Sequence, residues 1–243
     1  MVGIVLIGIF SVVGFGATAI EDSTSDVTDE TAERDLIRLA ESVDRQTIDS
    51  DSTLGTRDAD IASGDITSST SSVRTVDSAG DMEIQVAGST VLDDSLGMVE
   101  YENPDSDTRI AYQGGLVVSK QGNTPAAILR ENEFRYREDG AGVGITMHVM
   151  TLDEFASLDD SASITVDDVS EQWPDLIVNA GDTIEITIES EYHYAWARKF
   201  DEMLPASQTT INHDTVNNRV EVTYTAPSDG AFFRLIQYDA QIG

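Results

Sequence analysis

The run TIEITIES, residues 183–190, places Ile184, Ile186 and Ile188 at every second position, with Thr183, Glu185, Thr187 and Glu189 between them. A period of two sends alternate side chains to opposite faces of an extended chain, so this stretch predicts a strand with one buried and one wet face. No other alternation in the sequence is as sharp. Weaker copies lie on both sides of it.

Upstream, Ile84 and Val86 alternate with polar neighbours, and Met98–Tyr101 and Arg109–Tyr112 flank the turn Asn103-Pro104-Asp105-Ser106-Asp107. Gly114-Gly115 separates the second of these from Leu116–Lys120, and Gln121-Gly122-Asn123 closes the next turn. Phe134 and Tyr136 alternate with Arg135 and Arg137, and Ile145, Met147 and Val149 with Thr146 and His148. Downstream, Val220, Val222 and Tyr224 repeat the pattern after Asn217-Asn218. Short strands divided by turn residues in this way indicate an antiparallel, sandwich-like head over residues 82–243.

One helix interrupts the strands. Tyr192, Trp196 and Phe200 fall at i, i+4 and i+8, and Pro205 ends the segment. An aromatic stripe can stack on sugar rings, but the same spacing serves a helix packed on a sheet, and packing is the reading taken. Ile184, Ile186, Ile188, Tyr192, Trp196 and Phe200 are therefore the expected head core.

Composition narrows the function classes. The 45 acidic and 14 basic residues leave a formal charge of −31, and only Lys120 and Lys199 of the basic residues are lysines. At molar salt the Debye length falls to about 3 Å, which screens the self-repulsion of so acidic a domain, so the composition points to a salt-loving organism. No basic stripe is present to meet phosphates, and nucleic-acid binding by the head is not expected. Without cysteine there are neither disulfides nor thiolate metal sites.

Chemistry-bearing motifs are also missing: there is no GxSxG, no P-loop and no HExxH. Gly140, Gly142 and Gly144 lead into a strand pattern instead of a helix, so they read as a turn and not as a phosphate cradle. Asp49/Asp51 and Asp58/Asp60 lack the glycine and terminal glutamate of a calcium loop. His148, His193 and His213 lie apart in the sequence and read as surface residues. No catalytic, cofactor-binding or metal-ligating residue is assigned, and no enzyme activity is expected.

The N-terminus is a different object. MVGIVLIGIFSVVGFGATAI, residues 1–20, carries no charge and no proline. As a helix it would cover roughly 30 Å, the thickness of a bilayer's hydrocarbon core. A secretory signal fits poorly because no basic residue precedes the apolar run and the first Lys or Arg is Arg34. The segment looks like the new N-terminus left when a basic leader is removed. After the polar stretch 21–31, Ala32, Leu36, Leu39, Ala40 and Val43 return to helical spacing, and Leu36, Leu39, Ala40 and Val43 are expected to pack the helix on the head. The chain thus divides into an assembly helix over 1–47, a Ser/Thr/Asp-rich linker with possible edge strands over 48–81, and the head over 82–243. The expected class is α+β, a long N-terminal hydrophobic helix followed by a β-rich head with one short helix.

Three stretches, IAYQGGLVVSKQGN (110–123), EFRYR (133–137) and SEYHYAWARKF (190–200), together with the apolar N-terminus, resemble a family of haloarchaeal surface proteins with type IV pilin-like N-termini. The resemblance implies a leader removed by a prepilin peptidase, storage in the membrane, and extraction by pilus assembly machinery into an extracellular helical filament of identical subunits. It implies no ligand, cofactor or catalytic residue. Bacterial pilins usually carry Glu at the position of Val5, so assembly here would rest on apolar packing and shape.

The expected function is a structural pilus subunit serving surface attachment, with Val2, Ile4, Val5, Leu6, Ile7, Phe10, Val12, Val13, Phe15 and Ile20 in the filament core. The alternatives are a single-span membrane-anchored ectodomain with a binding role, or a minor pilin or pseudopilin of a secretion or DNA-uptake system.

Overall fold

Ile184, Ile186 and Ile188 lie on the middle strand of a sheet, each between two other apolar residues, and the rest of the molecule is built against that ladder. The computed structural model describes residues 29–41, 72–130, 135–139, 142–152, 157–158, 164–170 and 176–242. Helix α1 spans residues 29–41. It is followed by β1 (Ser72–Val76), β2 (Gly80–Val86), β3 (Ser89–Ser95), β4 (Met98–Asn103), β5 (Thr108–Gln113), β6 (Leu116–Gln121) and β7 (Ala127–Arg130). Next come β8 (Arg135–Asp139), β9 (Gly142–Leu152), β10 (Ser157–Leu158), β11 (Ile164–Ser170) and β12 (Leu176–Val178). The chain closes with β13 (Thr183–Ser190), α2 (His193–Met203), β14 (Thr209–Asp214), β15 (Arg219–Thr225) and β16 (Ala231–Ile242).

The strands form three sheets. The first runs β14-β15-β13-β2-β3, the second β10-β1-β4-β5-β6-β7, and the third β11-β16-β9-β8 with β12 also on β16. In the first, Ile184 faces Val86 and Tyr224, Ile186 faces Ile84 and Val222, and Ile188 faces Met82 and Val220. All nine are buried, while Glu185, Thr187, Glu83 and Glu221 occupy the other face. Cross-strand apolar pairs of this kind stabilise a sheet by about 0.2–1 kcal/mol each relative to alanine. The same core continues through Val143, Ile145, Met147, Phe233 and Leu235 of the third sheet, Tyr192 just before α2, and Trp196 and Phe200 of α2.

The second sheet is buried on both sides at its centre. Register puts Met98, Glu100, Ala111, Gln113, Leu116 and Val118 on one face, and Met98, Ala111, Leu116 and Val118 join the shared core. Val99, Tyr101, Ile110, Tyr112 and Val117 share the other face and are also buried. We read α1 as the cover of this second face. Its stripe Ala32, Leu36, Leu39 and Ala40 is buried, and Asp29, its first described residue, bonds Tyr101 and Asn103 there.

Two expectations are corrected. The α+β class with a long hydrophobic N-terminal helix gives way to a fold made mostly of β-sheet. Two helices are described, and among the described residues no helix is long and apolar enough to cross a membrane. The physical reason lies in the pattern beyond residue 72, where the described residues form sixteen strands, some alternating as in β2, β13 and β15 and others buried on both faces as in β4 and β5, and α2 alone among them is helical. The filament-core residues Val2, Ile4, Val5, Leu6, Ile7, Phe10, Val12, Val13, Phe15 and Ile20 lie outside the described residues, as does Val43.

The wholly antiparallel sandwich is the second. The head has three sheets, and β9 and β16 pair in parallel over ten residue pairs from Val143–Ala231 to Leu152–Ala240. A parallel pair needs a long crossover, supplied here by everything between the two strands, including α2 and most of the first sheet. Within the expected linker, β1 is the described strand that falls wholly inside 48–81. It lies inside the second sheet, paired with β4 on one side and β10 on the other.

Candidate functional site

The junction where the N-terminal segment meets the head is held by Asp29. Its Oδ1 accepts hydrogen bonds from the Tyr101 hydroxyl at 2.9 Å and the Asn103 amide at 2.6 Å, and its Oδ2 from the Ser106 hydroxyl at 2.8 Å. Tyr101 and Asn103 come from β4, while Ser106 comes from the β4–β5 turn, in which Asp107 takes a positive φ of 52°. Leu36 and Ala40 are fully buried and Leu39 nearly so, the exposed pair Arg34–Glu30 lies on the outer side, and the exposed Arg38 reaches the largely covered Asp35. Asp29 therefore ties α1 to β4 and the β4–β5 turn.

On the opposite face of the same sheet, side chains grade from apolar to charged along the strands. Glu102 of β4, Arg109 of β5 and Lys120 of β6 are directly opposed in register. Arg109 bridges Glu102 at 3.4 Å and Glu191 at 3.3 Å, and Lys120 reaches the same Glu191 oxygen at 3.3 Å. One row inward the buried Glu100 accepts from Arg74, through Nε at 2.9 Å and through Nη2, and from the Tyr192 hydroxyl at 2.9 Å. Burial first, and then the Glu100 charge, push the Tyr192 phenol far above its ordinary value, so it stays a donor. A buried carboxylate costs several kcal/mol unless paired, and Glu100 is paired by three donor contacts.

A third row is neutral. The buried Gln113 Oε1 accepts from the Ser190 hydroxyl at 2.7 Å and from Trp196 Nε1 at 3.1 Å, while its Nε2 donates to the Ala79 carbonyl at 3.2 Å. Two donors on the oxygen settle the amide orientation. Ser190 Oγ in turn accepts the Tyr192 N–H at 3.1 Å, which turns the chain into α2. Gly114 follows Gln113 with φ +52°, and an added Cβ would stand 2.8 Å from the Trp196 ring. The YQGG turn and the aromatic helix, read as separate stretches of sequence, thus form one contact.

His193 and His213, read as separate surface residues, also meet. His193 Nδ1 lies 2.6 Å from His213 Nε2, and Tyr194 packs against both rings. Burial first, then His213 and Lys120, hold the His193 imidazole below its ordinary value. A neutral pair at this distance shares one proton in a hydrogen bond, and it forfeits that bond when both rings are protonated. His213 sits on β14 and His193 is buried rather than on the surface, and the twenty-residue separation in sequence concealed the contact. Among the described residues no group of three or more His, Cys, Asp or Glu could hold a metal ion.

Ile184, Ile186, Ile188, Tyr192, Trp196 and Phe200 lie together in the shared core. Sequence reasoning missed Asp29, Glu100 and Gln113. Nothing distinguishes the first two among 45 acidic residues, although a glutamine between the apolar run Ile110-Ala111-Tyr112 and Gly114-Gly115 was a usable signal for the third. The sequence profile of a family of unknown function (DUF7289) matches residues 1–239. No curated protein and no solved structure matches the chain.

Proposed function

The chain belongs to that family of unknown function, and from this premise we propose that it is a structural subunit of an extracellular type IV pilus-like filament, serving surface attachment. The observation that carries the proposal is the charge-free run of residues 1–20 ahead of a β head whose buried Glu100 and Gln113 serve internal bonds. Residues 1–20 polymerise with their copies in the filament core, and the head faces solvent. An apolar surface of this kind is compatible with lipid before assembly and with a core of identical segments afterwards, without new desolvation of charge. The bonds of Asp29 to Tyr101, Asn103 and Ser106 support the reading, because they anchor the chain that follows the apolar run to the head. Prepilin peptidase and pilus assembly machinery are the partners this implies, with the membrane as the site before assembly.

Electron microscopy of sheared surface material, with N-terminal sequencing of the main band, tests the proposal. Filaments built of this chain are expected, and Val5→Asp or Phe10→Asp should abolish them. Membrane-bound monomers with no fibres would favour an anchored ectodomain, and normal filaments from either variant would remove residues 1–20 from the core.

A further inference from the structure

The outer face of the third sheet breaks the charge pattern of the chain. Arg135 of β8 and Arg234 of β16 both oppose Thr146 of the intervening β9. The adjacent row on the same face runs Ile177 of β12, Phe232 of β16, Gly144 of β9 and Arg137 of β8. Ile177 is 71% exposed and Phe232 47% exposed, and together with Tyr194 and Val216 they are the large apolar side chains most open to solvent among the described residues. A Cβ added at Gly144 would meet nothing within 4 Å, so open space lies between the Phe232 ring and Arg137. Three of the chain's 14 basic residues therefore surround an apolar shelf on a protein of net charge −31. Each arginine already has an interaction within the chain, so the sign of the local charge matters here and not an unmet hydrogen bond.

The outer face of the first sheet has the opposite character. Glu83 and Asp93 oppose one another, Thr187 lies between Glu83 and Glu221, and Glu185 and Glu189 follow on the central strand, with Arg219 as the basic residue in these rows. The inner faces of both sheets join one core, so the two outer faces point away from it.

We infer that the basic, apolar face carrying Arg135, Arg137, Arg234, Phe232 and Ile177 docks on the acidic face carrying Glu83, Glu185 and Glu221 of a second copy of this chain. Charge complementarity selects the occupant, since the acidic sheet offers a flat surface of the required sign on every copy. The two faces differ, so the contact is heterologous: each head uses one face toward the copy before it and the other toward the copy after it. Such contacts propagate instead of closing as a dimer, and they produce helical assemblies when the rotation does not close. The inference deepens the filament reading by giving the heads a contact of their own, in addition to the segment 1–20. Electrostatics sets the register of the contact, and the Phe232 and Ile177 shelf keeps it when salt screens charge.

The absence of cysteine makes the test clean. Arg137→Cys and Glu185→Cys, each at an exposed position, are introduced into the full chain singly and together. Producing cells are treated with a membrane-permeant bis-maleimide. The double variant should give a ladder of dimers, trimers and higher species, and each single variant should stay monomeric. Adding Arg135→Glu and Phe232→Ser to the double variant should remove the ladder. Dimers from Arg137→Cys alone would show the face meeting its own copy and would overturn the inference, as would filaments visible by microscopy without a ladder. A ladder without filaments would keep the docking contact and overturn the filament reading, so the two fail separately.

Discussion

The Tyr192 hydroxyl donates to the buried Glu100 carboxylate at 2.9 Å, joining the first turn of α2 to the middle of the six-stranded sheet. Hydrogen bonds to a charged acceptor contribute about 1.5–3 kcal/mol. Tyr192→Phe keeps the ring in the core and removes only the donor, leaving Glu100 to Arg74. The variant should lose about that much stability in denaturant titrations at molar salt, with an unchanged slope. A loss below about 0.5 kcal/mol would mean that water replaces the phenol at Glu100.

Asp29 takes three hydrogen bonds from one strand and one turn, whereas the stripe of α1 is held by burial alone. The two contributions separate experimentally. Leu36→Ala should cost about 2–5 kcal/mol through the cavity it leaves. Asp29→Asn should act locally, raising amide exchange in residues 29–41 while β13 and β15 keep their protection. Equal loss of protection in α1 and β13 would show that the junction and the head unfold as one unit.

Strand content was legible because burial on one face writes itself as a period of two, as in β13, and the stripe of α1 because Ala32, Leu36, Leu39 and Ala40 recur at helical steps. Pairing was not. Ile184 meets Val86 and Tyr224 from distant parts of the chain, and nothing in the alternation of β9 marks β16 as a parallel neighbour. Polar hubs were hidden for a different reason. Asp29 and Glu100 differ from the many other carboxylates only in what the fold brings to them, and the His193–His213 contact likewise rests on long-range information.

Acid should weaken the head through His193. Its imidazole is held below the ordinary value of 6.5 by burial first, then by His213 and by Lys120. The groups facing it are His213 and Tyr194, with Lys120 beyond, and none of these is an acid. The unfolded chain then binds the proton more readily than the folded one, so stability present above pH 6.5 is lost as pH falls through that value toward the folded one. Melting temperatures followed from about pH 8 to about pH 5 should decline, and His193→Gln should flatten the decline. A variant with the wild-type slope would assign the acid sensitivity to carboxylates instead.

Gly114 and Gly88 provide a matched pair. Both have positive φ, +52° and +75°, but an added Cβ at Gly114 would lie 2.8 Å from the Trp196 ring, while nothing stands within 4 Å at Gly88. Alanine at Gly88 should cost about 1 kcal/mol of backbone strain. Alanine at Gly114 should cost that and a further 1–3 kcal/mol, roughly, for displacing the indole from Gln113. Near-ultraviolet circular dichroism reports the indole directly, and its signal should change in Gly114→Ala alone. Equal stabilities for the two variants would show that Trp196 yields without loss.

Salt should matter most where like charges are opposed. Glu83 and Asp93 face each other across β2 and β3 on the solvent side, and like charges directly opposite are destabilising. At molar salt the Debye length is about 3 Å and the pair is largely screened; at about 0.1 M it is about 10 Å and the pair is not. The wild-type head should therefore lose stability as salt is lowered, with the net charge of −31 acting in the same direction. Asp93→Asn removes one such opposition. It should be neutral at molar salt and stabilising by about 0.2–1 kcal/mol at about 0.1 M, in paired denaturant titrations. If the variant gained as much at molar salt as at low salt, the gain would come from strand propensity and not from charge. The acidic face would then need another account of why the head depends on salt.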